Sequence, residues 1–281
     1  MKIKSIKTFV IAAGVMAVVV TVAVFVIPLA HNRSQNLSMG REWTGLLKKH
    51  TAFSAKSPGY PVGVNFHYSP PTDDNLKKLR DTYNLETVAG QGSETDRIIN
   101  LVSWVYKLTG HANEPQIPKE LNAFNLIHLA KDEHMLINCY MKTVILNEVF
   151  LAMGFSSRQT HLLPHSHEED ESHFITSVYS RELGKWILMD PDFGVYVTDE
   201  KGNILGVAEI RGRLISGDPL VYKDIEDTSR SSISKTWENF TNFIDGRDYF
   251  WFLSDFIFKI RCPQNSTHST MNRNRTSCTS N

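Results

Sequence analysis

An α+β fold, in which a cysteine-bearing helix packs on an antiparallel sheet, is what this 281-residue chain predicts. Two observations lead to it. Ile137–Gly154 reads as one complete helix, opened by Asn138 as its N-cap and closed by Gly154. Past Gly154 the pattern changes from helical to extended, in three strand-like segments. The last two are joined by the polar, Gly-containing stretch Ser180–Lys185, the mark of a hairpin.

Ahead of that core, Phe9–Ala30 is 22 residues without a charge, preceded by Lys2, Lys4 and Lys7. As a helix it would be about 33 Å long, enough to cross the hydrocarbon of a bilayer. Pro28-Leu29-Ala30 is a poor cleavage site, so residues 9–30 read as an uncleaved transmembrane anchor behind a short basic N-terminus, 1–8. Lysines before the span place that end inside and the following domain outside the cytoplasm, a single-pass arrangement. Residues 31–71 read as a juxtamembrane linker and extended segment, punctuated by Ser57-Pro58-Gly59-Tyr60-Pro61 and Ser69-Pro70-Pro71.

The domain proper is expected over 72–220. Asp73–Asn84 suits a polar surface helix. Ser93-Glu94-Thr95-Asp96 is a capping sequence for a helix running to about Leu108, with Ile98, Leu101, Val102 and Val105 on its apolar side. Phe124–Ala130 predicts a further helix that delivers the chain to His134 and Asn138.

Cys139 then falls in the first turn of its helix, where unpaired N–H groups and the positive end of the dipole favour a thiolate over a thiol. The same N–H groups suit an oxyanion. Taken alone, a cysteine in an apolar helix is a small buried hydrophobe. His173 and Asp190 downstream change that reading, because a thiol nucleophile needs a base to take its proton and a carboxylate or amide to orient the base.

The three strand segments are Ser157–Leu163, His173–Tyr179 and Trp186–Asp190. If Ser180 faces Lys185, Ile175 faces Asp190 and His173 faces Asp192. With side chains alternating every two residues, His173 and Asp190 then share a face as diagonal neighbours. An odd connection would separate them. Asp192, directly across from His173, is a rival orienting acid.

These residues resemble a family. The Asn138-Cys139 helix start, the passage from Leu151-Ala152-Met153-Gly154 into Phe155-Ser156-Ser157-Arg158, the His173 strand and Lys185-Trp186-Ile187-Leu188-Met189-Asp190-Pro191 are similar to a transglutaminase-like domain of the papain-like cysteine enzymes. The resemblance covers about Ser93 to Val197. It implies Cys139 as nucleophile, His173 as general base and acid, and Asp190 rather than Asp192 as orienter. Asn138 stands where many members have glycine, and Phe174-Ile175 where many have a small residue and tryptophan, so the oxyanion pocket is expected to differ. Asn138 and His134 are candidates for oxyanion or substrate contact.

Beyond the triad, Val195–Leu205 has the pattern of another hairpin turning at Glu200–Asn203, and Val207–Ile215 that of a short helix. Residues 221–262 are expected to be an aromatic-rich helical extension packed on the domain. The alternative for Trp237–Ile260 is a face that lies on a membrane or a partner. Residues 263–281 read as a polar, disordered tail, with Cys262 and Cys278 either paired or reduced. His161, His165, His167 and the acids at 168–171 fit a solvated loop better than a metal site, since their spacing matches no helical two-histidine motif.

A formal net charge of zero, with no basic block, argues against a nucleic-acid partner. The sequence therefore predicts a membrane-anchored, extracytoplasmic acyl-transfer enzyme acting on a protein or peptide substrate, without cofactor or metal. Hydrolysis is favoured over amine cross-linking because no calcium-binding loop is recognisable. A non-catalytic binding or scaffold domain is the alternative.

Overall fold

The computed structural model describes residues 45, 47–49, 68–163, 172–225 and the backbone of 259–261. Helices come first. α1 (Asp74–Thr82) begins where the Asp73 carboxylate accepts the N–H groups of Asn75 and Leu76, and it buries Leu76 and Leu79. The short α2 (Leu85–Ala89) follows. α3 (Glu94–Tyr106) is opened by the expected capping box between Ser93 and Asp96, and buries Ile98, Leu101, Val102 and Val105. α4 (Ala123–Lys131) is capped by Asn122.

α5 (Cys139–Ala152) is the centre of the molecule. It packs against α1, α3 and α4 on one side and against strands on the other, so residues 141–147 and 149–152 are all buried. A helix apolar on nearly every side is stable only in such a position.

The strands are β1 (Ser157–Leu163), β2 (His173–Ser180), β3 (Lys185–Asp190), β4 (Val195–Thr198), β5 (Val221–Asp224) and β6 (Lys259–Arg261), in the antiparallel order β5-β4-β3-β2-β1-β6. Ser180 lies opposite Lys185 and Thr176 opposite Met189, the even register that brings His173 and Asp190 to one face. Alternation divides the core. Val178, Ile187 and Met189 join the helices, while Ile175, Leu188, Val195 and Val197 join Leu47 and the Val207 and Ile210 side chains of α6 (Val207–Ser216).

One expectation is corrected. The composition of 221–262 predicts helix, yet its first residues form β5 and Lys259–Arg261 form β6. Gly217, in left-handed backbone, ends α6, and Val221 and Tyr222 suit the pleated edge that β4 offers. At the opposite edge, β6 pairs with His161, Leu162 and Leu163 of β1. The expected Val195–Leu205 hairpin forms, with Ile204 bridged antiparallel to Thr198 and the turn closed by the Asp199 N–H on Asn203 O (3.0 Å). Leu205 extends it between β3 and β4, donating its N–H to Val197 O (2.9 Å) and accepting that of Leu188 (3.0 Å).

Trp237–Phe258, Cys262, Cys278 and the 164–171 loop lie outside the described residues, as does Phe9–Ala30. Among the described residues no helix is long and apolar enough to cross a membrane.

Candidate active site

Asn138 adopts extended backbone and its Oδ1 accepts the Met141 N–H at 3.1 Å, which fixes the first turn of α5 around Cys139. Asn138 thus serves as a helix cap. The amides of Cys139 and Tyr140, being in the first turn, have no acceptor within the helix.

His173 opens β2 and Asp190 closes β3. The His173 Nε2 lies 2.7 Å from Asp190 Oδ2, with both side chains buried. The other carboxylate oxygen, Oδ1, accepts the N–H groups of Asp192 (3.0 Å) and Phe193 (3.1 Å). One aspartate therefore orients the imidazole and folds the 191–194 turn. Gly194 closes that turn at φ 68° with its N–H on Asp190 O, and a Cβ there would stand 3.0 Å from the Tyr106 ring.

With Nε2 held by Asp190, Nδ1 is the nitrogen left for the hydrogen bond between His173 and the Cys139 side chain. Burial by itself would depress the imidazolium. The charge of Asp190 and the hydrogen bonds to Asp190 and Cys139 outweigh it and raise His173 well above the usual histidine range. His173 is thus suited to keep a proton taken from the thiol.

Asp192 makes a different set of contacts. Its carboxylate is 2.9 Å from His111 Nδ1 and 3.2 Å from Lys142 Nζ, while His111 Nε2 meets Asn113 Oδ1 at 2.9 Å. Burial would raise this carboxyl, but the His111 hydrogen bond and the charges of Lys142, His111 and His173 bring it down to about 2. Lys142 is only 2% exposed and lies over the Tyr106 ring. Asp190, not Asp192, is the acid bonded to His173. Even so, one donor atom each from Cys139, His173 and Asp192 lie within 4.8 Å of one another.

Sulfur, imidazole and carboxylate are ligand types a zinc-like cation accepts. Lys142 already fills that role for Asp192, and an ammonium beside the carboxylate repels a second cation. The group is better described as a self-compensated cluster. His134 is not among the side chains that converge on Cys139. It is exposed, in left-handed backbone (φ 54°) in the turn after α4. His161 stacks on Phe174 (centroids 4.1 Å, 7° between planes), which in turn packs edge-on against Tyr140. Paired with Phe174 rather than His173, it takes the opposite face of the sheet from His173.

The sequence reading missed His111 and Lys142. Lys142 carried a signal, as the one charged side chain between Ile137 and Asn147 and one turn from Cys139. His111 carried none, since only the fold brings it across to Asp192. A cavity of about 420 Å³ lined by Leu183, Lys185, Asp199, Glu209, Arg213 and neighbours contains none of the Cys139 group. Its charges are satisfied in Lys185–Glu209 and Arg213–Glu200 pairs.

No protein-family model matches the sequence, and no curated protein matches it. Among solved structures, a Cytophaga hutchinsonii protein described as a "putative cysteine protease" aligns at 14% identity with a TM-score of 0.34, over 54% of this chain and 48% of that protein. This chain thus spans about half of that protein's length, and the similarity is too slight to assign a fold or a function.

Proposed function

We propose that the domain is a cysteine enzyme of transglutaminase-like, papain-related type that transfers acyl groups from amide or peptide bonds. The observation that carries this is the bonded series Asp190–His173–Cys139, with the sulfur in the first turn of a helix. The thiolate attacks the carbonyl carbon, and the developing oxyanion is within the influence of the first-turn N–H groups. His173 gives its proton to the departing amine, leaving a thioester on Cys139. A water molecule then attacks the thioester while His173 accepts its proton, which releases the acid and restores the thiol. An amine taking the place of water would give cross-linking. Hydrolysis remains the favoured outcome. Tethering by Phe9–Ala30, with the domain outside the cytoplasm and a protein or peptide substrate, belongs to the same proposal.

The test is alkylation of Cys139 across pH in the wild type, Cys139→Ala and His173→Ala. Reactivity persisting well below the ordinary thiol pKa of about 8.5, lost in Cys139→Ala and displaced upward in His173→Ala, is the expected result. Ordinary thiol behaviour indifferent to His173 overturns it. The alternative reading is a non-catalytic scaffold that keeps the fold without turnover. The same alkylation series decides between them.

A further inference from the structure

His111, Lys142 and Asp192 adjoin the acyl-transfer residues yet have no step in the reaction. Asp192 stands within 4.8 Å of both Cys139 and His173. A carboxylate that close opposes ionisation of the thiol unless cations offset it. Two do, and they differ in permanence. Lys142 is buried, whereas the His111 side chain is 28% exposed, so solvent protons reach it. Both ring nitrogens of His111 face acceptor oxygens, on Asp192 and on Asn113, which is the pattern of an imidazolium donating from both sides.

His111 bonds Asp192 in the β3–β4 turn and the neutral Asn113 on its own loop, and Asp192 in turn adjoins Lys142 and Cys139 on α5 and His173 on β2, with Lys142 over Tyr106 at the end of α3. With Cys139 as thiolate, both histidines and Lys142 protonated, and both aspartates ionised, the cluster is neutral. Loss of the His111 proton leaves it with one net negative charge beside the sulfur.

We propose that His111 is a positioning residue for the nucleophile: its protonation, relayed through Asp192, sets the pH at which Cys139 ionises. This rests on the acyl-transfer reading above.

The experiment measures alkylation of Cys139 by iodoacetamide from pH 4 to 10 in the full chain and its variants. His111→Gln removes the cation. The rise in rate should move upward by about half a pH unit, roughly a threefold slowing at the wild-type midpoint. His111→Lys keeps a cation and should restore the wild-type midpoint. Asp192→Asn removes the opposing charge and should move the midpoint downward. In that background His111→Gln should shift the midpoint less than it does in the wild type, because the carboxylate that holds the His111 proton is gone. A purely structural role for His111 predicts equal damage in His111→Gln and His111→Lys with no ordered pH shift.

If His111→Gln leaves the profile unmoved while His173→Ala changes it, this inference is wrong and the acyl-transfer reading stands. If His173→Ala also leaves the profile unmoved, the acyl-transfer reading fails and takes the inference with it. Should His111→Gln not fold, His111→Lys decides alone, and a midpoint above the wild type's sinks the proposal.

Discussion

The first turn of α5 holds Cys139 and Lys142 among two histidines and two buried aspartates, while the last turns of the same helix place Val149, Phe150, Leu151 and Ala152 in hydrocarbon. Their terminations differ in the same sense. Asn138 closes the start with a side-chain oxygen, and Arg80 closes the end by donating to Ala152 O at 2.7 Å. The difference shows how a charged cluster survives under a fold. Burying ions is unfavourable unless each is paired in good geometry, and the rigid apolar length of α5 supplies the fixed platform on which that pairing occurs.

The comparison is most sharply broken by separating chemistry from packing. His173→Gln keeps a donor for Asp190 but removes the imidazole beside the thiol, and Cys139 alkylation near neutrality should fall by about one order of magnitude, toward the few per cent of thiolate an ordinary cysteine holds there. Urea stability should change much less. Phe150→Ala should do the reverse. Phe150 is fully buried and meets Phe155 edge-on, so the variant should lose about 3–5 kcal/mol of stability, with unchanged alkylation per folded molecule. A Phe150→Ala protein that folds normally yet loses its thiol reactivity would show that the two ends are not separable.

Asn138→Ala lies between these in kind and below them in size. Loss of the cap should cost about 1 kcal/mol in a urea titration. Asn138→Asp keeps an oxygen for the Met141 N–H but adds an anion beside the sulfur, so it should hold stability while moving the alkylation midpoint upward in pH. Equal midpoints in the two variants would mean that the position acts through the cap alone.

What the sequence made legible was local. The α3 stripe of Ile98, Leu101, Val102 and Val105 follows helical periodicity, and the Ser93–Asp96 cap lies within four residues. The register that brings His173 to Asp190 was readable because one short hairpin fixes it. His111 reaches Asp192 across 81 residues, and no periodicity encodes such a contact. The strands β5 and β6 were hidden for a similar reason. Val221–Asp224 carries only two strand-favouring residues, and the vacant edge of β4 makes it a strand. Strand register alone offers His173 both Asp190 and Asp192, and it is the family resemblance that puts Asp190 first, as the bond to His173 has it. The position of Lys142 and His111 divides their duties.

Stability as a function of pH separates the two ends by the smallest effect. Asp192 is held at about 2 in the folded chain, below its unfolded value. Its contribution is therefore present above about pH 4 and is lost as pH falls through 2, a change of about 2 kcal/mol. His111 and His173 are raised, so their contributions are complete below about pH 6.5 and are lost as pH climbs through their folded values. The charged end should thus give greatest stability between about pH 4 and 6.5, while the apolar end contributes alike at every pH. Urea titrations from pH 2 to 9 check this. Phe150→Ala should lower the whole curve evenly, whereas Asp192→Asn should flatten its acid limb. The exposed Asp81 and the Asp199 side chain, which accepts from Asn203 and Lys201, are also lowered and add to the acid slope in every variant. The difference between wild type and Asp192→Asn is accordingly the decisive quantity, and parallel acid limbs would place the Asp192 charge outside the folded-state balance.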